Sequence, residues 1–395
     1  MINCDVLVVG GGPIGSTAAR FAAKNGVDDV LVIEKRQEIG SPVRCAEGIS
    51  LTWLDEVEIE ESDHFIKKKV KGSKLYSPNG NKMTIGKELA GDEVGGVLER
   101  DIFDKEMAVL AGREGVNFML KTAATDVIKE NGKVTGVKAK KMGEEFEIHA
   151  DLVIGADGFE SQVGRWAGLY EQIPSKDIMT CFQYRMVDID IEPDYTHFYL
   201  GKVAPGGYVW IFPKGDDKAN VGLGVQLNQL DGNKSPKDYL DEFIDSHEGL
   251  KKGQAVDMVA GGVSVGHPLD SVTMDGLMMV GDAARVVDPL TGGGIANGMK
   301  QAKIAGEVAA EAVEKGKVDE DFFSRYEERW RDRLEDKIWR NYMAKEKAVE
   351  LSDEEFDKII DALSEVDLTE LTTEAILKAV QKKYPELVES FKDML

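Results

Sequence analysis

The chain has 395 residues, 42% of them hydrophobic, and 42 glycines, the composition of a folded α/β protein rather than a disordered one. A formal net charge of −23 argues against nucleic acid, whose phosphates would repel it. The three cysteines Cys4, Cys45 and Cys181 have no metal-type spacing, so the expectation is no metal site, no disulfide framework and a reducing, cytoplasmic setting. The N-terminus enters a strand at once, without a signal-peptide pattern. No run of about 18 apolar residues is present to cross a bilayer. At most, the protein is expected to rest on a membrane surface.

Residues 5–34, DVLVVGGGPIGSTAARFAAKNGVDDVLVIE, predict a buried strand over Val6 to Val9, a glycine turn, a helix through Asn25 and a second strand ending in Glu34. Gly10, Gly12 and Gly15 stand where a tight turn, close approach of backbone to a pyrophosphate and tight helix packing are needed. The helix N-terminus offers N–H groups and a positive dipole end to phosphate. Glu34 is placed to accept hydrogen bonds from the ribose hydroxyls of an adenosine.

NAD and FAD both satisfy this pattern, and two later stretches separate them. ADLVIGADGFES (150–161) predicts a strand ending near Asp157. MDGLMMVGDAARVVDPLTGGGIANGMKQA (274–302) predicts a strand ending at Asp282, then a loop, then Gly293, Gly294 and Ile295 opening a helix. An acid at the carboxyl end of a parallel strand points into the ligand crevice of a doubly wound sheet, and a second helix start can support negative charge. NAD gives no reason for so distant a ligand element, so FAD is the expected cofactor.

PGGYVWIFPKG (205–215) alternates Tyr208, Trp210 and Phe212 on one face of a strand with Val209 and Ile211 on the other. Period alone leaves two readings, a sheet core or a cavity wall. Phe182, Tyr184, Phe198 and Tyr199 extend the aromatic character over 179–201, in strands expected beside it in an antiparallel sheet. His197 and His267 read as structural. From Glu320 the pattern is helical: Phe322, Tyr326, Trp330, Leu334, Ile338 and Tyr342 recur every four residues among arginines that include Arg331 and Arg333. This stripe reads as packing onto the domain or as a membrane or head-group face. Shorter amphipathic helices are expected over 353–363, 369–383 and from Pro385.

The three nucleotide segments resemble the dinucleotide, DG and GD motifs of FAD enzymes with the p-hydroxybenzoate hydroxylase fold. In LERDIFDKEMA the resemblance makes Arg100 a flavin contact; pairing to Asp104 one turn on is the alternative. In GVNFMLKTAATDV it makes Ala124 the backbone contact to adenine. SPVRCAEGIS (41–50) together with P-x-x-Y-x-W-x-F-P-K-G is similar to the geranylgeranyl reductase family, and the lipid-reducing archaeal branch fits better than the plant type. That branch acts on digeranylgeranylglycerophospholipid. The resemblance covers about the first 310 residues and places Arg44, Cys45, Ala46 and Gly48 beside the flavin. It implies hydride delivery from flavin N5 to an isolated alkene, with Cys45 as proton donor or as a small buried hydrophobe, Tyr208 as a second donor or pocket wall, and Trp210 against the isoprenoid.

The expected architecture is α/β: a Rossmann-type FAD-binding domain (1–50, 96–165 and 266–315), an antiparallel β-sheet substrate domain (51–95 and 166–265) and a helical C-terminal region (316–395). The expected partners are a geranylgeranyl lipid, an electron donor that is either NAD(P)H or reduced ferredoxin, and a peripheral membrane contact. An aromatic monooxygenase of the same fold and a flavin electron carrier without an isoprenoid substrate are the competing readings.

Overall fold

The structure is a computed structural model that describes residues 2–86, 95–364 and 373–388. In chain order, β1 (Ile2–Val9), α1 (Pro13–Lys24) and β2 (Val30–Ile33) form the opening unit. β3 (Gly48–Ser50), β4 (Ile66–Lys69), β5 (Gly72–Tyr76), β6 (Lys82–Gly86) and β7 (Gly95–Leu98) precede α2 (Arg100–Arg113). Next come β8 (Asn117–Met119), β9 (Thr122–Glu130), β10 (Lys133–Lys141), β11 (Glu144–Gly155) and α3 (Gln162–Ala167). β12 (Ile178–Val187), β13 (Tyr195–Tyr199), β14 (Tyr208–Pro213), β15 (Lys218–Gln226), α4 (Pro236–Ser246) and β16 (Gln254–Ser264) follow. β17 (Thr273–Met274), β18 (Leu277–Met279) and α5 (Ile295–Lys315) lead to α6 (Glu320–Glu350), α7 (Asp353–Ser364), α8 (Thr373–Lys383) and α9 (Pro385–Val388). The expected start of a helix at Thr369 lies outside the described residues.

The first sheet runs β17-β18-β11-β1-β2-β8, with the β9–β10 hairpin extending from β11. β1 is parallel to both β2 and β11, and β11 to β18. Strands covered on both faces need unbroken apolar runs, and Val6, Leu7, Val8, Leu152, Val153 and Ile154 supply them with little or no exposure. All carboxyl ends of these parallel strands open onto one crevice, where Glu34, Asp157 and Asp282 follow.

The second sheet runs β16-β12-β15-β14-β13-β5-β6. It is antiparallel except that β13 pairs with β5 in parallel, in register Tyr195 to Gly72 through Tyr199 to Tyr76. One face carries Val209, Ile211, Val221 and Leu223 against α4 in an ordinary core. The other carries Tyr208, Trp210, Phe212 and Phe198. Gly222 is needed on that face: a Cβ there would lie 2.5 Å from the Trp210 ring, so glycine lets the indole lie on the sheet.

In α6 the stripe Phe322, Tyr326, Trp330, Leu334, Ile338 and Tyr342 is buried. The Tyr326 hydroxyl donates to the Met279 carbonyl at 2.7 Å, fixing the helix on the first sheet. The stripe is therefore domain packing. Its arginines are engaged internally: Arg331 with Glu327, Glu335 and the Leu269 and Asp270 carbonyls, Arg333 with Glu56, and Arg325 and Arg329 with Glu311. Among the described residues no helix is long and apolar enough to cross a membrane.

Removing a fully buried tryptophan leaves a cavity that surrounding side chains refill only in part. Trp330→Ala is expected to lower unfolding stability by about 3–5 kcal/mol, measured by urea denaturation of the FAD-loaded protein. A loss below about 1 kcal/mol would assign α6 a surface role instead of a packing one.

Candidate active site

Every residue that the sequence assigned to the cofactor or to the chemistry borders one cavity of about 1520 Å³ between the first and second sheets. Such a volume exceeds the roughly 300–1,000 Å³ of a pocket for one small ligand. Two ligands side by side are the simplest occupants.

At the nucleotide end, Gly10 has φ +113, and a Cβ there would lie 2.3 Å from the Ala156 carbonyl oxygen. No other residue fits that turn. Gly12 caps α1 without a side-chain cap, and an added Cβ there would meet nothing within 4 Å. The helix start thus faces open space with its N–H groups uncovered by side chains. Glu34 accepts from the Gly11 N–H (3.0 Å) and the Arg36 N–H (2.8 Å), which orients its carboxylate. The Thr122 N–H bonds the Glu34 carbonyl at 2.8 Å and brings Ala124 to the same end.

Two carboxyls stand deeper. Asp157 accepts from the Val163 N–H at 2.9 Å through Oδ2, while its Oδ1 is buried with no hydrogen-bond partner among the described residues. Burial raises the Asp157 carboxyl above its ordinary value. Asp282 is raised by burial too, partly offset by the Arg100 charge. Next to it, Gly294 and Ile295 begin α5, again without a side-chain cap. An orphaned buried acceptor, two uncapped helix starts and an oriented Glu34 fit a dinucleotide whose hydroxyls and phosphates reach from the α1 start to the α5 start.

Between the nucleotide end and the second sheet lies the Arg44–Gly48 segment. Its anchor is Glu47, fully buried and held at φ +72, an unusual conformation for a non-glycine residue. Glu47 Oε1 accepts from the Arg100 N–H (2.8 Å); Oε2 accepts from Lys214 Nζ (2.5 Å), Asn220 Nδ2 (2.6 Å) and Arg185 (3.0 Å). Glu99 pairs with Lys214 at 2.9 Å, completing the cluster. Burial acts to raise the Glu47 carboxyl, but Lys214 and the N–H donors outweigh it and hold it below the ordinary carboxylate range.

The neighbours of Glu47 are held as well. Gln183 Nε2 donates to the Cys45 carbonyl (3.1 Å) while its Oε1 accepts from Trp210 Nε1 (2.8 Å). Asn220 Nδ2 also donates to the Ala46 carbonyl at 3.0 Å. The Glu47 N–H points at Cys45 Sγ at 3.2 Å, and the Arg100 guanidinium interacts with the same sulfur. Arg100 does form the Asp104 pair (2.7 and 2.9 Å), but the pair is largely buried beside the cavity rather than an exposed helix-start charge. Burial acts to lower the Arg100 guanidinium, and Asp104 and Cys45 outweigh it and raise it above its usual value.

The Tyr208 hydroxyl donates to the Thr291 carbonyl, in the loop that precedes α5. It tethers that loop to the second sheet. Phe212 borders the cavity with Tyr208 and Trp210, and Phe198 packs edge-on to both Tyr208 and Phe212 at 5.4 Å. Cys181, also on the cavity wall, is pushed up to about 12 by burial and by Cys45.

Glu47, Gln183, Lys214 and Asn220 were not singled out from the sequence. Glu47 and Lys214 do sit inside the quoted motifs, as opposite charges among apolar and glycine residues. His197 is structural: its ring bonds Tyr76 and the Glu192 carbonyl, and burial lowers its pKa.

A glycine turn with an acid after the second strand, joined to a distant second helix start at one cavity, defines an FAD-dependent oxidoreductase. Residues 5–188 match the FAD dependent oxidoreductase family, and residues 177–263 match the geranylgeranyl reductase catalytic domain. The digeranylgeranylglycerophospholipid reductases of Thermoplasma volcanium and Thermoplasma acidophilum are each 51% identical to the chain over 397 aligned positions, covering 100% of both chains. That of Methanosarcina acetivorans is 47% identical, covering 98% of this chain and 96% of its own. The chain belongs to the geranylgeranyl reductase family. A crystal structure of a geranylgeranyl bacteriochlorophyll reductase-like protein from Thermoplasma acidophilum superposes with a TM-score of 0.94 at 50% identity, covering 100% of both chains. A flavin-dependent brominase, at TM-score 0.69 and 21% identity over 99% of this chain and 93% of its own, shares the fold alone.

Removing Lys214 leaves Glu47 buried and short of its main counter-charge. Lys214→Met is expected to cost about 3–5 kcal/mol and to weaken FAD retention, read by denaturation and flavin fluorescence. Wild-type stability and retention would contradict the anchoring role.

A carboxylate with a depressed folded value adds stability that is complete above its unfolded value, about 4.3 for Glu, and lost as pH falls through the folded value. The wild-type Tm should therefore fall as pH drops below about 4.3. Glu47→Gln, less stable at pH 7, should decline less steeply over that range. Parallel declines in thermal melts would contradict this.

Proposed function

We propose that the protein saturates the isoprenoid double bonds of geranylgeranyl chains on an ether phospholipid, converting digeranylgeranylglycerophospholipid to an archaeol-type lipid. The observation that carries the proposal is the wall Cys181, Trp210, Phe212, Phe198 and Leu75, an apolar face of the second sheet reached directly from Cys45. An isolated alkene has no carbonyl to polarise it, so it needs a dry site and a proton donor at hand.

Reduced FAD, when bound, supplies the hydride. The remaining work falls to the chain. Glu34, Asp157, Asp282, the α1 start and the α5 start hold the cofactor, with Arg44, Ala46, Gly48, Arg100 and Ala124 around it. Trp210, fixed by Gln183, presents a flat apolar surface to the alkene. Cys45 gives its thiol proton to the second alkene carbon, so that one hydride and one proton add across each double bond. The Glu47 N–H and the Arg100 guanidinium face the sulfur from which that proton leaves. Tyr208 holds the loop before α5 instead of donating a proton, since its hydroxyl is directed to Thr291.

The lipid substrate implies contact with a membrane surface, which among the described residues no helix is long and apolar enough to cross. NAD(P)H and reduced ferredoxin both remain as electron donors; stopped-flow reduction of the flavin by each distinguishes them.

The test is to reduce the FAD-loaded enzyme without oxygen and add a digeranylgeranyl ether phospholipid. Flavin reoxidation with a matching gain in lipid mass is expected. Reoxidation only by oxygen favours the monooxygenase, and reoxidation only by a quinone or protein favours the electron carrier. Cys45→Ser should keep FAD and lose turnover by about 10²-fold or more, the usual scale of general acid catalysis. Turnover at the parent rate would remove Cys45 from the chemistry.

A further inference from the structure

Cavity-facing residues change character along the last helices. Lys337, Asn341 and Lys345 come first on α6, then Ala348 and Val349; Leu351, Asp353 and Phe356 follow across the break into α7. Lys345 pairs with Asp177 (2.8 Å), just before β12. Asp353 accepts from the Lys202 N–H (2.9 Å), beyond β13, and Asp357 accepts from the Asn79 N–H (2.9 Å), in the β5–β6 turn. The two helices thus cross the strand ends of the second sheet from β12 toward β6. Lysine and asparagine side chains stand over the first part and mainly apolar ones over the last, where Asp353 is the exception and is engaged by the Lys202 N–H.

The apolar part ends in packed core. Leu75 and Ile85 border the cavity and also pack with Met83, Ile360, Leu363 and Ala379. Those last four do not border it. Among the described residues, the cavity stops where α7 seats on β6. Phe356 borders the cavity from the first turn of α7, which is pinned on either side of it by Asp353 and Asp357. Ser352 and Glu355 add a capping pair at the helix start: the Ser352 N–H donates to Glu355 at 2.8 Å and the Glu355 N–H to Ser352 Oγ at 3.3 Å. The ring is therefore on a held element.

We propose that Phe356, which borders the cavity as Leu75, Ile85 and Leu200 do, is the end wall of the isoprenoid channel and sets how many isoprene units are accepted and saturated. The inference rests on the lipid-reductase reading above. The lipid lies with its polar end toward Lys337 and Asn341 and its terminal isoprene against Phe356. Apolar pockets discriminate by about 10–200-fold for a single methylene, so a five-carbon unit that meets a fixed ring is excluded at least as strongly.

The test compares wild type, Phe356→Ala and Phe356→Trp, each FAD-loaded, on ether phospholipids carrying C20 or C25 isoprenoid chains, with products read by mass spectrometry. Phe356→Ala is expected to raise the C25-to-C20 ratio of kcat/KM by about tenfold or more. Phe356→Trp shortens the channel and is expected to leave unreduced the double bond nearest the head group, which needs the deepest insertion to reach Cys45. Either shift supports the end-wall role. An unchanged ratio together with full saturation by Phe356→Trp overturns it and leaves the functional reading standing. Failure of wild type to reduce the C20 lipid at all overturns both.

Discussion

The buried contact between Glu47 and Lys214 holds the active site together. A carboxylate with no exposure and an ammonium at 3% would each be costly alone. Paired at 2.5 Å, with Asn220, Arg185 and the Arg100 N–H completing the coordination, they join three parts of the chain. These are the segment carrying Cys45, the start of α2, and strands β12, β14 and β15 of the second sheet. The positive φ of Glu47 persists because this network over-determines it. Without it, the Cys45 segment would be a loop between two sheets.

The same arrangement explains why two separate sequence motifs behave as one device. The aromatic strand contributes Trp210 to the apolar cavity wall, and its indole N–H is linked through Gln183 to the Cys45 carbonyl. The lysine ending that strand motif grips the glutamate of the cysteine motif. Positioning of Cys45, the proposed proton donor, and of Trp210, the proposed alkene surface, are thereby coupled. A shift of either would move the other, which suits a reaction in which hydride and proton must reach adjacent carbons.

Much of the nucleotide half was legible because its signals are local. Strand, glycine turn, helix, strand and Glu34 occupy a few tens of residues, and each glycine answers a backbone demand set by its immediate neighbours. The periodic stripe on α6 was legible as a helix face for the same reason, although period alone could not tell domain packing from a membrane face. Glu47, Gln183 and Asn220 were not legible. Most of their partners, such as Lys214 and Asn220 for Glu47 and Cys45 for Gln183, lie well over a hundred residues away, and a single buried charge has no period to betray it. Nor could the amphipathic pattern of α7 reveal that it seats on β6, because a helix face specifies that something covers it and not what. Arg100 shows both sides at once: its Asp104 pair is a local i, i+4 feature, while its burial beside Cys45 depends on the assembled sheets.

A crystal structure of the FAD-loaded enzyme with a saturated C20 ether phospholipid tests the central claim most directly. Hydrocarbon density should run from Cys45 across Trp210 and Phe198 to end at Phe356, with the head group on the Lys337 side. Hydrocarbon bound elsewhere on the molecule, or a second-sheet face left filled by solvent, would contradict the assignment of that face to the isoprenoid.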